Sequence, residues 1–192
     1  MKDKEVIDIF SRIGAFKQGH FRLSSGLHSG AYLQCALVLA DPIIAGKLCA
    51  ALAKKFIADE PDVVIGPAMG GIVLAYEMAR ALKARAIFSE REENGKMALR
   101  RGFVISPGSK VLIAEDVLTT GGSVKEVIKL LRQDGIEPVA VAALVDRSRH
   151  KLDFDGIKYQ SLIKLDVPSF TEKECPLCQE GIPISKPGSR KI

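Results

Sequence analysis

Val111-Leu-Ile-Ala-Glu-Asp-Val-Leu-Thr-Thr-Gly-Gly-Ser123 is the stretch from which the rest of the chain is read. It opens as a short apolar run and closes on two glycines. A helical stripe follows from Val124 to Gln133. A buried strand therefore carries Glu115 and Asp116 to its carboxyl end. Two adjacent carboxylates there repel a phosphate, but they accept hydrogen bonds from sugar hydroxyls or approach a metal ion. Thr119, Thr120, Gly121, Gly122 and Ser123 come next. The glycines let the backbone N–H groups turn inward, the hydroxyls add donors, and the helix N-terminus favours an anion. Acids beside a phosphate cradle suit a ribose 5-phosphate. Taken alone, the acids only face solvent and the loop only caps a helix; the coupling of strand, acids and loop favours a binding site. The loop is not a G-x-x-x-x-G-K-[ST] phosphate loop.

Outward from this stretch, strand and helix patterns alternate. Lys4 to Ile13 has a helical apolar stripe ended by Gly14, and Asp41-Pro42 reads as a helix cap with proline at the first position. Short apolar runs at Asp62–Ile65, Ala86–Ser89, Lys110–Ala114, Val139–Val145 and Tyr159–Leu165 read as strands, and Ile72–Leu82 as a helix. Phe21 to Val38 reads as Ser/Gly-rich and then extended. Glu90 to Arg101 is charged, contains Asn94-Gly95, and reads as a mobile loop. Repeated strand–helix units predict an α/β fold, with a mostly parallel sheet flanked by helices on both faces. Residues 1–165 are expected to form one domain, and 166–192, with four prolines, a mostly irregular tail. Ligands of such sheets bind beyond the carboxyl ends of the strands. Gly66–Gly71, Glu115–Ser123 and Asp146-Arg147 fall there.

The composition excludes several classes. No apolar run approaches the roughly 20 residues of a membrane-spanning helix, so no membrane partner is expected. The formal charge is +5, which fits a polyphosphate substrate as well as nucleic acid. With no Trp and 6% aromatic residues, stacking platforms are scarce, and no nucleic-acid partner is expected. Four cysteines do not make a disulfide scaffold. The charged opening Met1–Glu5 has no secretory apolar core, so a cytoplasmic location is expected.

The thirteen residues Val111–Ser123 resemble the phosphoribosyl pyrophosphate signature of the type I phosphoribosyltransferases. Phe21-Arg-Leu-Ser-Ser-Gly-Leu-His-Ser29 followed by Tyr32, Ile65-Gly-Pro-Ala-Met-Gly-Gly71 and Val145-Asp-Arg147 resemble the orotate members of that family. The resemblance runs from about Phe10 to Arg147. It implies the family's fold, with a hood loop and a small N-terminal element. It also implies transfer of ribose 5-phosphate from 5-phospho-α-D-ribose 1-diphosphate to orotate, giving orotidine 5′-monophosphate in pyrimidine synthesis. Phosphoribosyl pyrophosphate would be held by Glu115, Asp116, Val117, Leu118, Thr119, Thr120, Gly121, Gly122 and Ser123. Mg²⁺ would arrive with the diphosphate, and the active unit would be a homodimer.

Glu90–Arg101 sits where relatives have their catalytic hood. By position Arg91 is the match to a catalytic cation and Lys96 the next candidate; Arg100 and Arg101 read equally as solvated charges. Many relatives carry Lys where this chain has Ser24 and Gly70, so those two contacts are not carried over. Arg147, after an apolar strand, offers a fork for a planar carboxylate such as that of orotate, with Thr119 converging on the same ligand. The competing reading is a salt bridge to Asp146 or Asp153. The rival functions are a sister enzyme for a purine or uracil base, and a regulator that senses phosphoribosyl pyrophosphate. Cys175-Pro-Leu-Cys178 reads as half a zinc site, a redox pair or two plain thiols. His20, His28 and His150 show no metal spacing to it, and His20 and His28 read as structural or surface residues. No protein metal site is expected.

Overall fold

The computed structural model describes residues 1–23 and 25–186. Ser24 and residues 187–192 lie outside the described residues. The elements in chain order are α1 (Asp3–Arg12), β1 (Phe16–Arg22), β2 (His28–Leu33), α2 (Cys35–Leu39), α3 (Pro42–Ala53), β3 (Val63–Pro67), α4 (Gly70–Leu82) and β4 (Arg85–Arg91). They continue with β5 (Met97–Ala98), β6 (Val111–Leu118), α5 (Gly122–Gln133), β7 (Pro138–Asp146), β8 (Tyr159–Lys164), β9 (Ser169–Phe170) and α6 (Pro176–Gln179).

The main sheet has six strands in the order β5-β4-β3-β6-β7-β8. All neighbours are parallel except β4 and β5. The central strands β3, β6 and β7 are largely apolar and buried because both faces of the sheet are covered there. Successive residues go to opposite sides: Val63, Ile65, Val111 and Ile113 pack with Val124, Val127 and Leu131 of α5. Val64, Leu112 and Ala114 pack with Leu48 and Leu52 of α3 and Leu74 and Met78 of α4. Asp41 caps α3 as the sequence predicts, its Oδ1 accepting from the N–H groups of Ile43 at 2.9 Å and Ile44 at 3.1 Å.

The chain runs from β3 outward to β4, then returns to place β6 on the other side of β3. The order reverses between β3 and β6, and the crevice at such a reversal is where ligands of α/β sheets bind. The loops leaving β3 and β6 are Gly66–Gly71 and Thr119–Ser123.

Two expectations are corrected in part. Phe21–Val38 reads as Ser/Gly-rich and then extended; it is extended as far as Leu33, as the second strand of an antiparallel hairpin of β1 with β2, and then turns into the short α2. The hairpin escapes a periodicity search because its register slips between Gln18 and Phe21, which puts the neighbours His20 and Phe21 both inside. Glu90–Arg101 is not structureless. Glu90 pairs with Ala98 and Arg91 with Met97, across a turn that holds Asn94-Gly95.

The described residues after Asp166, to Lys186, contain only short elements, yet they are tied to the N-terminal hairpin. Ser169 and Phe170 pair with Ser29 and His28, making a second sheet of order β1-β2-β9. Ser185 adds a bridge to Phe21.

Candidate active site

Strand β6 runs on to Leu118, so Glu115 and Asp116 are its own residues and not loop residues. Glu115 is buried and Asp116 half-buried. The backbone N–H of Asp116 donates to Glu115 Oε1 at 3.2 Å, and that of Val117 donates to Asp116 Oδ1 at 2.8 Å. Burial, with Asp116 beside it, pushes the Glu115 carboxyl up to about 8. This favours the protonated form of Glu115 near neutral pH. A protonated Glu115 donates a hydrogen bond while Asp116 accepts one, a pairing suited to vicinal hydroxyls.

The loop after β6 is shaped by two glycines. Gly121 has φ +74°, and a Cβ on it would stand 2.8 Å from the Phe154 ring, so only glycine fits. Thr120 Oγ1 accepts from the N–H of Gly122 at 3.4 Å. Thr119, Thr120 and Gly122 are exposed at the start of α5, and Ser123 is half-buried. The N–H groups of Ser123 and Val124 in the first turn of α5 have no intrahelical acceptor and can serve an anion. Val117 and Leu118 contribute differently from the rest. Their side chains pack into the core on opposite faces of the sheet, so only their backbone faces the crevice.

Opposite this loop, Gly66–Gly71 turns sharply from β3 into α4. A Cβ on Gly66 would lie 2.1 Å from the carbonyl oxygen of Gly71. The backbone thus folds onto itself as no other residue permits. The N–H of Ala68 donates to Ser89 O at 2.7 Å.

Arg147 follows β7. Its N–H donates to Leu118 O at 2.8 Å, which locks it to the end of β6. The salt bridges considered from sequence do not form. Asp146 accepts from the N–H of Ser148 at 2.8 Å and faces Lys164 at 3.9 Å. Among the described residues Arg147 has no acidic partner, and its buried Nε has no hydrogen-bond partner. Burial pushes its pKa down from the usual guanidinium value, countered in part by Cys35 and Tyr32 nearby. Cys35, at the start of α2, lies 3.9 Å from Asp116 O through its Sγ. The N-terminal hairpin is in this way brought over Asp116 and Arg147.

The hairpin of β4 and β5 stands at the same sheet edge, with β3 and β6 between it and β7. Arg91 Nη1 donates to Gly95 O at 2.7 Å, and Nη2 stands 2.7 Å from Glu126 Oε2. Glu126 is one turn into α5, so Arg91 is held beside the start of the anion loop. Lys96 is exposed in the turn and has no ion pair among the described residues. Arg100 and Arg101 face Glu90 at 3.7 and 3.0 Å. That supports the solvated-charge reading for both.

Sequence reasoning missed one cluster. His20 Nε2 lies 3.5 Å from Cys175 Sγ, and His28 Nδ1 lies 3.2 Å from Cys178 Sγ. Both histidines are buried. The histidines show no metal spacing to the C-x-x-C along the chain, yet folding brings His20 and His28 to it from about 150 residues away.

Residues 39–177 match the phosphoribosyl transferase domain family. An orotate phosphoribosyltransferase of Carboxydothermus hydrogenoformans is 56% identical over 97% of this chain and 98% of its own. Another, of Caldanaerobacter subterraneus, is 53% identical over the whole of both chains. Among solved structures, the orotate phosphoribosyltransferase of Aeropyrum pernix superposes with a TM-score of 0.66 at 25% identity, over 83% of this chain and 93% of its own. No helix among the described residues is long and apolar enough to cross a membrane.

Proposed function

The chain belongs to the phosphoribosyl transferase family, and we propose on that premise that it joins orotate to 5-phospho-α-D-ribose 1-diphosphate, giving orotidine 5′-monophosphate and diphosphate. The observation that carries the choice of base is Arg147: its half-buried guanidinium has no acidic partner among the described residues, and its backbone N–H is hydrogen-bonded to the end of the strand that bears Glu115 and Asp116. A planar carboxylate is the group such a fork recognises. A purine or uracil has none to offer.

In this reading Glu115 and Asp116 hold the ribose hydroxyls, and Thr119 to Ser123 hold the 5-phosphate. Thr119 and Arg147 read the base. The orotate ring nitrogen attacks the anomeric carbon as the bond to diphosphate breaks, through a ribose with oxocarbenium character, and no enzyme nucleophile is needed. The Gly66–Gly71 turn offers backbone N–H groups to the diphosphate where relatives use a lysine. Arg91 exchanges Glu126 for the departing diphosphate, with Lys96 beside it. An exposed ion pair is worth about 0–1 kcal/mol, so the exchange costs little. Bringing a cation to the charge that develops is how closure accelerates the step.

Mg²⁺ belongs with the diphosphate of the substrate. The oxygen donors of Glu115 and Asp116 suit a hard cation and its waters. When bound, it supplies charge neutralisation on the diphosphate. The acting unit is a homodimer in the cytoplasm, with the Arg91 hairpin of one subunit reaching the site of the other. The test is diphosphate release with orotate, adenine, xanthine and uracil in turn. Orotate alone supports turnover if the reading holds; turnover with another base and none with orotate overturns it.

A further inference from the structure

The four residues His20, His28, Cys175 and Cys178 belong to none of the crevice assignments above. Each presents one potential ligand atom, and the four atoms lie within 4.8 Å of one another. His20 comes from β1, His28 from the first position of β2, and the cysteines bracket the first turn of α6. We infer that this cluster is a structural zinc site that fastens the C-terminal segment to the N-terminal hairpin.

The distances decide between a metal site and a chance meeting. A tetrahedral zinc ion with ordinary bond lengths sets its nitrogen ligands ~3.4 Å apart and nitrogen and sulfur ~3.6 Å apart. Here His20 Nε2 and His28 Nδ1 are 3.1 Å apart. The nitrogen–sulfur separations are 3.5 Å from His20 to Cys175, 3.7 Å from His20 to Cys178 and 3.2 Å from His28 to Cys178. These four edges fit the tetrahedron to within about 0.4 Å. Pairwise hydrogen bonding explains the arrangement less well, because His20 Nε2 faces three neighbours at once and a single N–H or lone pair serves one of them.

The surroundings have the form of a metal site. His20 Nδ1–H donates to the carbonyl of Ile182 at 2.8 Å, which leaves the Nε2 lone pair aimed at the cluster. The register slip in β1 is what turns His20 inward beside Phe21. His20, His28 and Cys175 are buried, with exposures of 4%, 5% and 0%. Zinc with two thiolates and two neutral imidazoles carries no net charge, so it needs no further counter-ion to be buried. Binding releases the two thiol protons and involves no oxidation or reduction. Four protein ligands leave no open position, the mark of a structural and not a catalytic ion.

The physical role follows from topology. Among the described residues beyond β8, the C-terminal segment is hydrogen-bonded to the hairpin through the two pairs of the β2–β9 ladder, Ser29 Oγ donating to Pro168 O at 3.1 Å, the bonds of Ser185 to His20 and Arg22, and this cluster. So short a ladder is weak by itself, and an ion joining residues about 150 positions apart closes a long loop.

The test starts from the whole protein, purified without chelator, and measures its metal content by mass spectrometry. One zinc per chain is expected. Removal with a strong chelator should lower the melting temperature by roughly 10 °C. Cobalt(II) added to the metal-free protein should give the intense visible bands of a tetrahedral thiolate complex. Cys175→Ser and His28→Ala should each lose the zinc, whereas Cys49→Ala, in the distant core, keeps it. Should the ligand variants fail to fold, the wild-type stoichiometry and cobalt spectrum still decide. Wild-type protein that holds less than about a tenth of an equivalent of any metal and gives no tetrahedral cobalt spectrum overturns the site. So does a Cys175–Cys178 disulfide in protein kept under reducing conditions.

Discussion

A Cβ on Gly70 would stand 2.5 Å from Oδ2 of Asp116. The first residue of α4 and the second acid of β6 thus share one small space, and the carboxylate fills what a side chain at position 70 would need. A lysine at position 70 is incompatible with Asp116 where it lies. Gly70→Ala should leave the protein folded, because a partly exposed carboxylate can swing aside. The displaced carboxylate should lower kcat/KM by about ten- to a hundredfold. Steady-state kinetics with a melting curve checks both halves. Unchanged kinetics would mean that the position of Asp116 is not critical.

Glu115 gives a pH-dependent signature. Its folded value of about 8 lies above the ordinary 4.5, so the fold retains a proton that the unfolded chain loses. Its contribution to stability is greatest below about pH 4.5, declines as pH rises towards 8, and is level beyond. Glu115→Gln removes the dependence. The variant and the wild type should melt alike near pH 5. By pH 9 the variant should have gained up to about 4 kcal/mol on the wild type, on the order of 10 °C in Tm. Melting curves at both pH values test this; a constant difference would place the Glu115 pKa near normal.

The folded double variant Glu115→Gln with Asp116→Asn should lose nearly all turnover. The pair is buried at a strand end at a cost in desolvation and mutual repulsion that packing alone does not require. Circular dichroism establishes the fold and a diphosphate-release assay the activity. Near-normal activity would remove the role in holding ribose hydroxyls.

Arg147→Ala should reduce kcat/KM for orotate by a factor corresponding to about 1.5–3 kcal/mol, with little effect on phosphoribosyl pyrophosphate affinity. Arg147→Lys keeps the charge but not the fork and should recover only part of the loss. Thr119→Val should weaken orotate more than phosphoribosyl pyrophosphate. Separate titrations of the two substrates make the distinction. A loss confined to phosphoribosyl pyrophosphate would reassign Arg147 and reopen the sister-enzyme reading.

Arg91 and Glu126 test the hairpin. Arg91→Ala should lower kcat more than it raises KM, as expected of a group that acts in the transition state. Glu126→Gln removes the competitor for Arg91 and should raise kcat by about two- to fivefold with little change in KM, within the worth of an exposed ion pair. If Glu126→Gln has no effect while Arg91→Ala changes only KM, the exchange of partners does not occur.

The sequence alone determined the elements whose signals are local. Val111–Ala114, Asp62–Ile65 and Val139–Val145 are apolar throughout because both faces of a central strand are covered. The acids and glycines of Glu115–Ser123 stand where the strand must end and a helix begin. Asp41-Pro42 is a cap by its own chemistry. Tertiary structure decided what depends on partners far along the chain. The N-terminal hairpin takes its register from a bulge and a third strand some 140 residues away, so its own residues show no clean alternation. That Arg147 has no acidic partner among the described residues shows only once Asp146 is seen to turn to Ser148 and Lys164. His20 and His28 look like unrelated histidines until folding carries Cys175 and Cys178 to them. A ligand set of this kind is written in three-dimensional distances, and spacing along the chain does not encode it.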